Sequence, residues 1–116
     1  MQRVFVYGSL KRGFRHHDQM GGARFLRAAR TAPRYTLVVA GDYPALVDDG
    51  TTAVGGELFE VDDEHLAALD VFEDVPELYV RETIELDDGE RVLAYLLPAA
   101  RAAGLAPIAD GNWRRR

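Results

Sequence analysis

Apolar residues occur along this chain in short runs, separated by turns rich in glycine, proline and acidic residues. Runs of β-branched and aromatic residues predict strands over Arg3–Tyr7, Tyr35–Ala40 and Ala53–Val61. Within the third run, Gly55-Gly56 predicts a bulge or a close approach of backbone or ligand. The more irregular segment Asp18–Arg30 predicts a short helix followed by a strand.

One amphipathic helix is predicted in the middle of the chain. Leu66, Leu69 and Phe72 follow the three-to-four residue spacing of a helix face. The acidic pair Asp62-Asp63 supplies an N-cap, and Pro76 is expected to end the helix.

A hairpin is predicted after this helix. Tyr79–Leu86 alternates, Asp87-Asp88-Gly89 forms the turn, and Arg91–Leu97 returns. Gly41–Pro44 is expected to be a turn, and the Pro-, Gly- and Ala-rich tail to be irregular. About six adjacent strands with one clear helix favour a compact α+β domain or a small barrel over a doubly wound sheet.

Length and composition fit one domain over residues 1–116. Hydrophobic residues make up 47% and charged residues 28%, as in ordinary globular proteins. The chain has no cysteine, which excludes disulfides, thiolate metal sites and a cysteine nucleophile. The longest apolar run, Val92–Leu97, is far shorter than the ~20 residues that span a bilayer. We therefore expect a cytoplasmic protein with no membrane partner.

The net charge of −5 conceals an uneven distribution. Residues 1–40 carry +7, residues 41–90 carry −16, and residues 91–116 carry +4. Two explanations are open: basic and acidic faces pack against each other within the molecule, or a basic site receives an anionic ligand. A pI near 5.1 argues against a nucleic-acid partner.

The turn after the first strand is a candidate binding site. A buried strand that ends in Tyr7-Gly8-Ser9-Leu10 exposes successive backbone N–H groups, which attract an anion or a developing oxyanion. Lys11, Arg12 and Arg15 strengthen this interpretation. The turn lacks the spacing of a P-loop and of a nucleophile elbow, and a plain turn is the simpler alternative.

Glu73 is the candidate for proton transfer. It lies beside apolar Phe72 at the end of the predicted helix, where desolvation raises a carboxyl pKa toward general-base usefulness. Nearby Asp70 and Asp74, and the negative end of the helix, are expected to raise it further. The alternative is a solvated helix end in an acidic region.

Other chemistry-bearing residues give weaker signals. His16 and His17 in a basic loop are expected to be exposed, and they lack a third metal ligand. Tyr79 and Arg81 share one face of a strand. Two interpretations are open. The two residues form a substrate-facing pair, or Arg81 is an ion-pair partner for an acidic residue of the surrounding block. No metal site or cofactor is predicted.

Several segments together resemble gamma-glutamylcyclotransferase-like proteins. Val4–Gly13 is similar to the opening motif of that family. Further similar segments follow in the same order: Tyr43–Val47, Gly56–Val61, Leu69–Glu73, Leu78–Arg81 and Gly111–Arg114, the last of which is like the tail of small bacterial members. The resemblance covers nearly the whole chain.

The resemblance implies a small mixed β-barrel with helices packed around it. It implies a cofactor-free reaction on a small γ-glutamyl substrate, whose α-amino group attacks its own γ-carbonyl to give 5-oxoproline and a free amine or amino acid. The family's catalytic glutamate falls on Glu73 and its substrate-binding loop on Tyr7, Gly8, Ser9 and Leu10. A tyrosine that lines the pocket falls on Tyr79.

The sequence departs from the family pattern in two places, one single residue and one four-residue segment. Asp74 stands where a glycine often follows the glutamate, so the run Phe72–Tyr79 is more similar to the gamma-glutamylamine branch. However, Phe14–His17 replaces that branch's usual Gln-Pro-Asn-His. The alternatives to an enzyme are a non-catalytic module that binds a small anion or γ-glutamyl compound, and an interaction protein that uses its divided charge.

Overall fold

A computed structural model describes residues 1–116. It contains seven strands and two α-helices. The strands are β1 (Gln2–Val6), β2 (Arg24–Arg30), β3 (Tyr35–Ala40), β4 (Tyr43–Thr52), β5 (Gly55–Val61), β6 (Val80–Glu85) and β7 (Arg91–Leu96). The helices are α1 (Asp63–Phe72) and α2 (Ala99–Ala102), and a 3-10 helix spans His17–Met20. None of these helices has the length and apolar content needed to cross a membrane.

The predicted α+β class is confirmed, and three local predictions need correction. Strand β4 begins at Tyr43, where a turn was expected to continue to Pro44. The tail contains the short helix α2. Helix α1 ends at Phe72, before Pro76 is reached.

All seven strands belong to one mixed sheet, and β7 is its hub. The strand order is β2-β5-β1-β7-β4-β3, and β6 pairs antiparallel with β7 off this path. Both β1 and β4 run parallel to β7, whereas β5, β2 and β3 pair antiparallel with their neighbours. An isolated bridge joins Thr31 to Leu86, but no continuous ladder closes the sheet. The predicted barrel is therefore an open sheet whose ends are joined only at this bridge.

The last three residues of strand β1, Val4–Val6, are buried on both faces, which explains their uninterrupted apolar sequence. Phe5 packs in a core cluster with residues such as Leu46 and Leu58. Val4 and Val6 face the opposite way and pack with Leu66 and Leu69 of α1, among other residues. The last residues of β1 are thereby fixed between the two cores, and the chain that follows them starts from a rigid position.

The paired glycines of β5 mark the close approach that the sequence predicted. A Cβ atom on Gly56 would lie 2.3 Å from the Val6 carbonyl oxygen and 2.7 Å from the Phe5 ring. Only glycine permits β5 to approach the end of β1 this closely.

The uneven charge is matched within the molecule. Basic side chains of the first forty residues pair with acidic side chains of the middle block: Arg3 with Glu90, Arg12 with Glu57, Arg27 with Asp88 and Glu90, and Arg34 with Asp48 and Glu85. The sheet brings these blocks together in two ways. Strand β5 lies between β1 and β2, and the bridge from Thr31 to Leu86 brings the end of β2 close to the β6–β7 turn. The first of the two explanations for the charge pattern thus fits the structure.

Helix α1 begins and ends with specific caps. The Asp62 carboxylate accepts a hydrogen bond from the His65 amide at 2.7 Å. At the other end, the amide of Asp74 donates to the Val71 carbonyl and that of Val75 to the Asp70 carbonyl. This bond pair is a Schellman motif, and it requires a left-handed residue at Asp74, whose φ is 55°.

Replacing Asp74 by glycine is expected to raise the free energy of unfolding by about 1 kcal/mol, because glycine adopts this conformation without a Cβ penalty. Loss of a negative charge at the helix C-terminus acts in the same direction. Urea denaturation measures the change. Asp74→Ala is the control, since it removes the charge and keeps the Cβ atom. Equal stability of the glycine and alanine variants would show that backbone conformation contributes nothing here.

Candidate active site

The end of β1 and the end of α1 open onto one cavity of about 410 Å³. All six residues that the family resemblance assigns to the site contribute to its wall. The lining residues are Phe5, Val6, Tyr7, Gly8, Ser9, Leu10, His16, Ala40, Tyr43, Pro44, Phe72, Glu73, Leu78, Tyr79, Tyr95 and Leu97. Glu73 is the only carboxyl group among them, and no lysine or arginine is included.

Glu73 is the C-cap residue of α1 and is mostly removed from solvent. Burial in this largely apolar cavity raises the pKa of its carboxyl to about 7. A group with this pKa exchanges protons readily near neutral pH.

Neither Asp70 nor Asp74 contributes to this shift, contrary to expectation. Asp70 has other partners. Its carboxylate accepts a hydrogen bond from the Tyr95 hydroxyl at 2.7 Å and forms a salt bridge with Arg81. With its charge paired in this way, Asp70 is not among the causes of the raised Glu73 pKa, which is due to burial. Of the two roles considered for Arg81, the structure shows the ion-pair partner.

Tyr7 links the first strand to two others. Its buried hydroxyl donates to the Tyr95 carbonyl at 2.6 Å and accepts from the Leu46 amide at 3.1 Å. Burial, together with the nearby Tyr79 and Glu73, raises the Tyr7 pKa well above its usual value. Tyr7 is therefore a neutral donor and acceptor that fixes β1 to β7 and β4.

The loop after Tyr7 presents unused backbone donors. The amides of Gly8, Ser9 and Leu10 donate to no acceptor within the protein. The loop itself is held by carbonyl acceptors, since the Ser9 carbonyl receives the His16 amide at 2.9 Å and the Leu10 carbonyl lies 2.9 Å from the His17 ring. Consecutive free N–H groups in such a loop suit an anion or a developing oxyanion.

Gly8 cannot carry a side chain in this arrangement. A Cβ atom there would lie 2.6 Å from the Pro44 side chain, so the loop packs directly against the start of β4. Tyr79 contacts the same proline, and its hydroxyl donates to the Pro44 carbonyl at 3.1 Å. Burial and the neighbouring Glu73 raise the Tyr79 pKa to about 12, so that it stays protonated.

The basic residues of the loop do not face the cavity, which corrects their expected contribution. The Lys11 amine donates to the Trp113 carbonyl at 2.8 Å, and burial lowers the pKa of the Lys11 amine. Arg12 pairs with Glu57, and the exposed Arg15 lies outside the lining. The lining therefore offers an anion no lysine or arginine side chain.

Sequence reasoning missed several wall residues that come from distant segments. His16 was expected to be exposed, but it is partly buried in the cavity wall beside Tyr43. Tyr43 and Tyr95 carried no predicted role, although Tyr43 opens one of the segments that resemble the family. His16 and His17 turn to different partners, and no three His, Asp or Glu side chains of the chain converge as a metal site would require.

These features combine a proton-exchanging carboxyl, a row of free amides and an apolar enclosure. A carboxyl with pKa near neutrality can remove a proton from one nitrogen and return it to another. The amides can stabilise negative charge, and the small enclosure can orient a flexible ligand. The cavity therefore combines a group that can exchange a proton with donors that can bind negative charge.

Comparison with known proteins places this arrangement in a family. The family model described as gamma-glutamyl cyclotransferase, AIG2-like, matches residues 4–115. A Vibrio cholerae protein provisionally named a gamma-glutamylcyclotransferase is 39% identical over 113 residues, covering 97% of this chain and 96% of its own. The mouse gamma-glutamylaminecyclotransferase is 34% identical over 121 residues, covering 89% of this chain and 81% of its own.

A solved structure shows the same fold. The crystal structure of the uropathogenic E. coli-specific protein c4763 superposes with a TM-score of 0.84 at 28% identity, covering 96% of this chain and 91% of that one. Fold, sequence and the span of the match agree. The chain belongs to the gamma-glutamyl cyclotransferase, AIG2-like family.

Proposed function

We propose that this protein is a gamma-glutamylcyclotransferase that converts a γ-glutamyl amine or γ-glutamyl amino acid into 5-oxoproline and releases the amine or amino acid. The observation that carries the proposal is that Glu73 and the loop Gly8–Leu10, whose amides donate to no acceptor within the protein, line one cavity. Its family relatives, including the mouse gamma-glutamylaminecyclotransferase, support the same reaction type.

Glu73 acts first as base and then as acid. The substrate α-amino group enters largely as an ammonium ion, and the Glu73 carboxylate removes one proton from it. The freed nitrogen attacks the γ-carbonyl carbon, forming the new C–N bond and a tetrahedral oxyanion. Glu73 then gives its proton to the leaving nitrogen, the old C–N bond breaks, and the carbonyl re-forms. The ring nitrogen still carries two hydrogens after its attack, and it loses the second one to the released amine, which leaves as an ammonium ion. The carboxylate is regenerated, and no metal or organic cofactor has a step.

The remaining proposed site residues bind and orient. The amides of Gly8, Ser9 and Leu10 hold either the substrate α-carboxylate or the oxyanion. Tyr7 fixes this loop through its two hydrogen bonds, and Tyr79 lines the cavity beside Glu73 as a neutral hydroxyl. Because nucleophile and electrophile share one molecule, holding the chain in a ring-like conformer can lower the barrier by up to ~7–11 kcal/mol.

The direct test is a panel of γ-glutamyl amines, γ-glutamyl dipeptides and glutathione, scored for 5-oxoproline by mass spectrometry. Formation of 5-oxoproline from at least one class supports the proposal. Binding of these compounds without product release would instead identify a binding module. If none of these compounds binds and none yields 5-oxoproline, both the enzyme and the binding module are contradicted.

Activity is expected to depend on pH through Glu73. Since burial raises the pKa of its carboxyl to about 7, the base form is scarce at pH 5 and prevails at pH 8. We expect kcat/KM to rise between these values with an apparent pKa near 7. Initial rates across that range measure the profile. A profile that is flat across this range would contradict a carboxyl base with this pKa.

A further inference from the structure

Three of the five large hydrophobic side chains that remain exposed surround this one cavity. Tyr43, Phe72 and Leu78 are 38%, 36% and 47% exposed, and each contributes to the cavity wall. The other two, Met1 and Val71, do not line it. A concentration of exposed apolar surface at the mouth of a cavity is typical of a ligand-binding surface.

His16 joins two of these rings into a cluster. Its Nε2 atom lies 3.0 Å from the Tyr43 hydroxyl oxygen. The centroid of its ring is 5.6 Å from that of Tyr43 and 5.3 Å from that of Phe72, which it meets edge to face. We call His16, Tyr43 and Phe72 the aromatic rim. It is built from the loop after β1, the start of β4 and the last residue of α1.

The charges around the cavity restrict what the aromatic rim can hold. The amides of Gly8–Leu10, which donate to no acceptor within the protein, are available to one carboxylate, and the only carboxyl side chain in the lining is Glu73. The Arg15 guanidinium is exposed, 6.0 Å from the Tyr43 ring, and outside the lining. A second carboxylate packed against the Tyr43 and Phe72 faces would lose hydration, and no lysine or arginine lines the cavity to replace it.

We propose that the aromatic rim is the subsite for the leaving amine, and that it selects amines bearing an apolar or aromatic group and no carboxylate. The inference rests on the proposed function, since it places the γ-glutamyl part against Gly8–Leu10 and Glu73. The part of the substrate beyond the scissile bond then lies at the mouth. There, Tyr43 and Phe72 offer it a face that water otherwise covers.

Three synthetic compounds test the selection. They are γ-glutamylphenethylamine, γ-glutamylethylamine, which lacks the ring, and γ-glutamylphenylalanine, which adds a carboxylate. We expect kcat/KM for the phenethylamine compound to exceed that for either of the others by about tenfold or more. Similar values for all three would overturn the proposal.

Variants of the rim locate the selection. Phe72→Ala and Tyr43→Ala are expected to lower kcat/KM about tenfold for γ-glutamylphenethylamine and by less than about threefold for γ-glutamylethylamine. Val71→Ala is the matched control, because Val71 is the 81% exposed neighbour of Phe72 and does not line the cavity. It should leave both values unchanged. An equal loss for the two substrates in the rim variants would contradict a leaving-group subsite.

A binding measurement separates this inference from the reaction itself. Calorimetry on the Glu73→Gln protein gives Kd for the same compounds without turnover, and tighter binding of the phenethylamine compound supports the subsite. Absence of 5-oxoproline from every compound would contradict the proposed function, and the order of Kd values would still decide the subsite. Turnover of all three compounds with similar kcat/KM and similar Kd values would overturn the leaving-amine subsite and leave the proposed function in place.

Discussion

Glu73→Gln is expected to reduce turnover at least about 10²-fold, the lower end of what a positioned acid–base group contributes. Glutamine has nearly the same shape but cannot accept the proton of the substrate ammonium ion. Release of 5-oxoproline at saturating substrate measures the loss. Glu77→Gln is the matched control, since Glu77 is an exposed carboxyl four residues along the chain that does not line the cavity. A Glu73→Gln enzyme with wild-type turnover would rule out the mechanism.

The same variant should be at least as stable as the wild type at alkaline pH, so that inactivity cannot be ascribed to unfolding. The Glu73 pKa is about 7 in the folded protein and ~4.3 in an unfolded chain. The fold therefore favours the protonated carboxyl, and this stabilisation is complete below pH ~4.3 and lost as pH rises through about 7. Relative to Glu73→Gln, the wild type should lose roughly 1–3 kcal/mol between pH 5 and pH 8 in urea denaturation.

Tyr7→Phe is expected to lower the free energy of unfolding by about 2–4 kcal/mol, because it removes both bonds of a buried hydroxyl. The Leu46 amide and the Tyr95 carbonyl, which now bond to that hydroxyl at 3.1 and 2.6 Å, would lose a partner in the interior. Thermal or urea denaturation measures the change.

Tyr43→Phe provides the comparison for this prediction. The Tyr43 hydroxyl bonds to a single side chain, that of His16. Because Tyr43 is 38% exposed, water can replace this bond. We expect a change within about 0.5 kcal/mol. If Tyr7→Phe were as mild as Tyr43→Phe, the hydroxyl of Tyr7 would not be holding the three strands together.

The features that the sequence predicted correctly depend on neighbours along the chain. Asp62 caps α1 through an amide three residues away. The hairpin of β6 and β7 turns at Gly89, whose φ of 88° suits glycine. Both signals are complete within a few residues, so no knowledge of the rest of the fold was needed.

The features that were missed depend on strand pairing, which composition alone does not specify. Tyr43-Pro44 has the composition of a turn, yet both residues pair with β3, because Pro44 lies opposite Val39 and Tyr43 opposite Ala40. The openness of the sheet depends on how far β2 and β6 extend toward each other, which strand count alone does not specify.

The candidate site also has features that the sequence predicted and features that it did not. Resemblance to the family directed attention to Glu73, Tyr79 and the loop after Tyr7, and the structure finds them around one cavity. Their roles remain predictions. The pairing of Asp70 with Arg81 and Tyr95 could not be inferred, since it requires α1 to lie beside β6 and β7.

The central position of β7 has a consequence for how the molecule acquires its shape. Its parallel partner β1 lies some ninety residues earlier, with Val4 opposite Leu93. Joining such remote segments closes a large loop at an entropic cost that local hairpins avoid, so refolding is slowed by chain topology. On a ribosome, the cavity wall stays incomplete until β7 and Leu97 have emerged, so nascent chains gain ligand-binding competence only after these residues have been synthesised.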